Sequence, residues 1–97
     1  MGEKIGIAMI GCGQIAEAHL KAIQAIDGAW LVWCIGVVEA QAQSAAERYG
    51  GAHWGTDYDA ALTDDAVDAV VLCLPHDLHL SFSVRASEAG KHVLVEK

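Results

Sequence analysis

The residues whose spacing most clearly points to chemistry are Gly11, Gly13 and Ala16, in the run Gly11-Cys12-Gly13-Gln14-Ile15-Ala16. Small residues at G-x-G-x-x-[G/A] spacing, between an apolar strand and a helix, leave backbone N–H groups and a helix N-terminus around a space that suits a pyrophosphate. Gly11 permits the tight turn, Gly13 lets the backbone approach a ligand with no Cβ in the way, and Ala16 lets the helix lie close on the sheet. The expected chemistry is binding of a dinucleotide. Alone the pattern is weak, because an ordinary strand-to-helix connection can also carry it, so the rest of the chain must supply the context.

Other reactive side chains offer less. Cys12 sits at a helix N-terminus, where a thiolate is favoured. The x position of such a turn commonly carries any small or apolar side chain, however, and no catalytic thiol is expected. His76 and His79 flank Asp77, but two histidines three apart need a further convergent ligand and no other Cys or His run supplies one, so no metal site is expected. His19, one turn into the first helix, reads as a surface or packing residue, and Trp30 and Trp33 read as packing rather than as a cofactor box.

A glycine turn binds only if a sheet holds it in place. Residues 4–10 are almost wholly apolar, as expected of a strand covered on both faces of a parallel sheet. Residues 15–26 place Ala16, Leu20, Ile23 and Ile26 on one helical face, closed by Asp27-Gly28. A second strand is expected from Trp30 to about Val38, an alanine-rich helix over Glu39–Tyr49 ending at Gly50-Gly51, and a short strand near His53-Trp54. Thr56-Asp57 offers an N-cap for a brief helix over Tyr58–Leu62. A fourth strand follows at Val67–Leu74, cut off by Pro75, with Cys34 and Cys73 read as small core residues of their strands. A helix from about Leu78 to Ala89, capped by Gly90, leads to a fifth strand at His92–Val95. Strands alternating with helices imply right-handed crossovers and an α/β doubly wound parallel sheet of three αβα layers, with expected strand order 3-2-1-4-5.

At 97 residues the chain is one domain at most, near the low end for a chain that buries its own core. With 54% apolar residues and one proline it reads as globular. The net charge of -7 and six scattered basic residues provide no stripe for nucleic acid or an anionic membrane. No apolar run approaches a membrane span, and the first four residues lead straight into a strand with no room for a signal peptide. Three cysteines without a C-x-x-C pair argue for a reducing compartment. A cytoplasmic protein is expected.

With these elements placed, the sequence resembles the N-terminal, NAD(P)-binding Rossmann domain of the Gfo/Idh/MocA (glucose-fructose oxidoreductase, inositol dehydrogenase, rhizopine catabolism) family. The landmarks occur in order along nearly the whole chain: G-C-G-Q-I-A at 11–16 followed by His19, A-E-R-Y-G at 46–50 and T-D-Y at 56–58. V-D-A-V-V-L-C-L-P-H-D-L-H at 67–79 and A-G-K-H-V-L-V-E-K at 89–97 follow. The resemblance implies NAD or NADP lying across the carboxyl ends of the strands. Gly11, Gly13 and the N–H groups of Gln14 and Ile15 would face the pyrophosphate, and Leu74, Pro75 and His76 would line the nicotinamide half, with His79 counted among the cofactor-binding residues. By similarity to the family's E-K-P motif, Glu96 and Lys97 would lie beside nicotinamide and substrate. Lys97 would be the catalytic group, hydrogen-bonding the hydroxyl being oxidised and steadying negative charge on its oxygen.

One departure stands out. NAD-preferring relatives usually carry an acid at the end of strand two that accepts hydrogen bonds from the adenosine ribose, and Gly36 occupies that position here. Glu39 reaches the ribose only if the strand runs longer than drawn; otherwise it is a solvated first-turn helix residue. Val37 and Val38 bring no base for a 2′-phosphate, which leaves NAD and NADP both open.

The resemblance thus implies an oxidoreductase that transfers hydride between the nicotinamide and a sugar, cyclitol or related polyol. Residues 1–97 are expected to be its dinucleotide-binding domain, with the substrate domain and its acid/base histidine outside the chain, so that the isolated chain binds dinucleotide weakly at best and is inactive. The alternative is a stand-alone NAD(P)-binding or sensing module. An S-adenosylmethionine methyltransferase usually has G-x-G-x-G, and Ala16 and the E-K ending disfavour it. An uncovered fifth strand would invite self-association, so a homo-oligomer is expected.

Overall fold

Nearly unbroken apolar residues from Ile5 to Ile10 form β1 at the centre of the molecule, because a strand covered on both faces has no use for a polar side. The computed structural model describes residues 4–74 and 76–95, apart from the side chains of Gln14, Ile15 and His76. Along the chain follow α1 (Gln14–Ala25), β2 (Ala29–Ile35), α2 (Glu39–Tyr49), β3 (His53–Gly55), α3 (Tyr58–Leu62) and β4 (Ala69–Leu72). A single 3-10 turn (His76–Leu78), α4 (His79–Glu88) and β5 (His92–Val95) complete the described chain. All pairings are parallel and the order is β3-β2-β1-β4-β5, the doubly wound arrangement expected from the sequence.

Two apolar layers sandwich the sheet. On one face Ala8, Ile10, Val32, Val70 and Leu72 meet Tyr58, Ala61 and Leu62 of α3 and Ala86 of α4. On the other, Met9, Leu31, Cys34 and Val71 meet Ala16, Leu20 and Ile23 of α1 and the alanines 42, 45 and 46 of α2. Removing the Leu72 side chain from the first layer would cost about 2–5 kcal/mol, the usual result of emptying a packed core position. No helix among the described residues is long and apolar enough to cross a membrane.

The start of β1 is tied to the approach of β4. The Asp68 carboxylate accepts the Gly6 N–H at 2.8 Å, and the Asp68 N–H donates back to the Gly6 carbonyl at 2.8 Å. That approach requires glycine, since a Cβ at position 6 would stand 1.8 Å from the Ala66 carbonyl oxygen.

The boundaries correct several expectations. β2 stops at Ile35 rather than near Val38, and Glu39 is the exposed first residue of α2, in keeping with its reading as a solvated first-turn residue. β4 is limited to Ala69–Leu72, so Cys73 lies just past the strand and is half-buried, whereas Cys34 is fully buried within β2. Ile26 leaves the buried face: the helix ends at Ala25, Ile26 is extended at φ -93° and ψ 116°, and its side chain is 54% exposed.

Candidate functional site

The glycine turn is fixed from both sides by backbone contacts at the carboxyl ends of β1, β2 and β4. Gly11 has φ 93°, a conformation that L side chains rarely adopt. Its N–H donates to the Ile35 carbonyl at 2.7 Å on one flank, and on the other a Cβ at this position would fall 2.2 Å from the Cys73 carbonyl oxygen. The Cys73 N–H in turn donates to the Ile10 carbonyl at 2.8 Å. Any side chain at 11 would push the turn off its neighbouring strand.

Gly13 is different in kind. It is the N-cap of α1, in extended conformation with no side-chain cap, and a Cβ there would meet no protein atom within 4 Å. The opening N–H groups of a helix lack intrahelical partners, and with the helix dipole they favour an anion. Ala16 is wholly buried between α1 and the sheet. Small residues therefore occupy 11 and 16 because protein crowds them, and 13 because space is left open outside.

At the end of β2, Gly36 is buried and donates its N–H to the Gly55 carbonyl at 3.0 Å. A Cβ there would find ordinary contacts, at 3.6 Å to the Val38 carbonyl oxygen, 3.7 Å to Cys12 Cβ and 3.8 Å to Ala42 Cβ. The backbone does not require glycine at 36. Val37, 91% exposed, and Val38 follow it on the surface.

At the end of β4, the His79 ring Nε2–H donates to the Leu74 carbonyl at 2.8 Å, tying the first residue of α4 to the strand end. Leu74 and His79 are half-buried. Of the remaining expected site residues, Gln14 and Ile15 open α1 and His76 opens the 3-10 turn, while their side chains are outside the description. Pro75, Glu96 and Lys97, including the expected catalytic lysine, lie outside the described residues. Gly11, Gly13, Gly36 and Leu74 converge on the carboxyl edge of the sheet, with His79 holding Leu74 from behind.

Two features were not foreseen. A groove of about 410 Å³ runs between α1 and α2, beginning at Cys12 and Gly13 and lined by Glu17, Gln41, Ser44 and Arg48. Arg48 Nη1 donates to Glu17 Oε1 at 2.8 Å across it and the guanidinium stands 5.3 Å from the Tyr49 ring centroid. The second feature is a thiol pair. A hydrogen bond from the Cys34 thiol lowers the Cys12 thiol from its ordinary value, against the opposing effect of burial. The same bond, then burial and the Cys12 charge, hold Cys34 firmly protonated. Only the helical period of Gln41, Ser44 and Arg48 hinted at the groove, and nothing in the spacing of Cys12 and Cys34 reveals the pair.

The Gfo/Idh/MocA oxidoreductase family, with its NAD-binding Rossmann fold, matches residues 5–97. The chain belongs to this family. Within it, the chain is 43% identical over 90 residues to 4-carboxy-2-hydroxymuconate-6-semialdehyde dehydrogenase of Sphingobium sp. (strain NBRC 103272 / SYK-6), covering 93% of the chain and 29% of that enzyme. It is 31% identical over 99 residues to scyllo-inositol 2-dehydrogenase (NAD(+)) of Bacillus subtilis (strain 168), covering 100% of the chain and 29% of the relative. Among solved structures it resembles KijD10, a 3-ketoreductase from Actinomadura kijaniata in complex with NADP and TDP-benzene. The TM-score is 0.91 at 38% identity, covering 98% of this chain and 29% of that one. The chain thus spans under a third of the length of these Gfo/Idh/MocA relatives, over the family's NAD-binding domain.

Proposed function

We propose that residues 1–97 are a dinucleotide-binding domain that holds NAD or NADP across the carboxyl ends of β1, β2 and β4, for an enzyme whose substrate-binding groups come from outside them. The observation that carries this reading is the turn at Gly11–Gly13, fixed on the protein side and open on the ligand side. Its amide groups and the N-terminus of α1 take the pyrophosphate. The ribose of the adenosine half lies by Gly36, and the nicotinamide half by Leu74, Pro75, His76 and His79, next to the crevice where the strand order reverses.

A bound nicotinamide supplies the hydride donor or acceptor. The chain's part is to fix its position, so that the reacting carbon of a sugar, cyclitol or related polyol stands against it. In this reading Lys97, with Glu96 beside it, hydrogen-bonds the substrate hydroxyl and steadies charge developing on its oxygen. The reading includes a cytoplasmic enzyme that works as a homo-oligomer, with no nucleic-acid or membrane partner.

Calorimetric titration with NAD, NADH, NADP and NADPH tests the cofactor assignment, and absence of binding by all four below millimolar concentration sinks it. Gly13→Val is a suitable variant, because the Cβ it adds meets no protein atom within 4 Å and its branched side chain stands where the pyrophosphate approaches. It is expected to abolish binding with only a small drop in the thermal midpoint, valine being a poorer N-cap than glycine; unchanged affinity would remove the turn from the site.

A further inference from the structure

The turn assigned to the pyrophosphate carries one thiol, and a second lies in the packed layer beneath it. Cys12, half-buried between Gly11 and Gly13, opens onto the groove beside α2 and donates its Sγ–H to the Ile35 carbonyl at 3.5 Å. Cys34 is wholly buried on β2, where the strand register sets it opposite Met9 of β1. Both pack in the layer beneath α1 and α2. A Cβ built at Gly36, two residues along from Cys34, would lie 3.7 Å from Cys12 Cβ, which places Cys12 over this stretch of β2.

We propose that Cys12 and Cys34 form a reversible disulfide on exposure to hydrogen peroxide, and that this bond shuts the dinucleotide turn. The roles divide by access. Cys12 is reachable from the groove and is the more readily ionised of the two; Cys34 is sealed in the core and stays protonated. The Cys12 thiolate attacks one peroxide oxygen, the O–O bond breaks, and a sulfenic acid forms with loss of hydroxide, which takes up the proton Cys12 released. The Cys34 sulfur then attacks the Cys12 sulfur as its own proton passes to the departing oxygen, the S–O bond breaks, and a second water leaves. Two thiols have lost two electrons and one peroxide has become two waters.

Bonded sulfurs stand much closer than hydrogen-bonded ones. Cys34 is fixed within the sheet, so the shift falls on Cys12 and the glycines beside it. Gly11 is already against the Cys73 carbonyl, which leaves Gly13 and the first amides of α1 to be re-aimed away from the pyrophosphate.

The site and the switch are read separately. Peroxide-treated chain, alkylated and digested, is expected to yield a linked Cys12–Cys34 peptide by mass spectrometry; a Cys12–Cys73 link, or stable Cys12 oxidation without a link, would overturn the site. The switch rests on the turn holding a dinucleotide, so the reduced chain is titrated with NADH first. If it binds, the linked chain should bind at least about tenfold more weakly, with affinity restored by dithiothreitol; equal affinity refutes the switch and leaves the turn assignment standing. If the reduced chain fails to bind NADH, the turn assignment fails and takes the switch with it, while the linked peptide still decides the site. Cys34→Ala should bind NADH indifferently to peroxide, with Cys34→Ser as the second variant should the alanine destabilise the core. Cys73→Ala should stay peroxide-sensitive, and loss of sensitivity there would refute the pairing.

Discussion

Gly36 poses the sharpest question about a single residue. Dinucleotide-binding domains of this architecture commonly place an acid there to accept from the ribose 2′-hydroxyl, and here the position holds a hydrogen atom. The packing admits a Cβ, whose contacts are all ordinary. Gly36→Asp should therefore fold and bind NAD more tightly relative to NADP, because the carboxylate accepts from the ribose hydroxyl and repels a 2′-phosphate. One charge-assisted hydrogen bond, at about 1.5–3 kcal/mol, moves the ratio of dissociation constants by roughly ten- to a hundredfold. Calorimetry with both cofactors measures it, and an unchanged ratio would put the ribose elsewhere. The glycine turn itself was legible in the sequence because each small residue answers a local demand of backbone shape. The Cys12–Cys34 pair and the Glu17–Arg48 bridge were not, because each joins residues distant in sequence whose meeting depends on how α1, α2 and β2 stack.

Elements were legible where periodicity spoke and less so at their ends. Continuous apolar runs marked the parallel strands, but such runs carry no stop signal. β2 and β4 therefore end where their neighbours cease to pair, at Ile35 and Leu72, short of the apolar residues that follow. The connection from α3 to β4 shows what fixes the opposite end, where a strand begins. Asp64 accepts from the Ala66 N–H and from the Trp33 indole N–H, each at 2.9 Å. Lys91 donates to the Asp64 and Val67 carbonyls at 3.0 and 2.6 Å. The Ala66 amide, then the indole, hold the Asp64 carboxyl below its ordinary value. A depressed folded value means that the unfolded chain binds the proton first as pH falls. This stabilisation is then complete above the ordinary aspartate value and is lost as pH drops through the folded one. Urea denaturation over a pH series should show Asp64→Asn less stable at neutral pH by about 0.5–1.5 kcal/mol, the net worth of an ordinary hydrogen bond. The gap from the parent should narrow in acid; a gap independent of pH would dissociate the carboxylate's charge from the joint.

Across the whole molecule, topology follows from the order of elements. Crossovers of one hand step the chain from β1 to β2 to β3 in one direction and from β4 to β5 in the other, so α1 and α2 share one face and α3 and α4 the other. The divergence between β1 and β4 opens the crevice beside the glycine turn, where open α/β sheets bind ligands. The same order puts β5 at an edge, where His92 is exposed and Leu94 is 55% exposed, with Leu80 and Val84 on the outer side of α4. An apolar edge strand is a template for another chain, and proteins blunt such edges with charge, lysine above all. The 97-residue chain should accordingly elute at a size that grows with concentration, and Leu94→Lys should move it toward monomer with only a small change in the thermal midpoint, because Leu94 is already more than half exposed within the chain. A single sharp monomer peak at every concentration would show that the edge is not a contact.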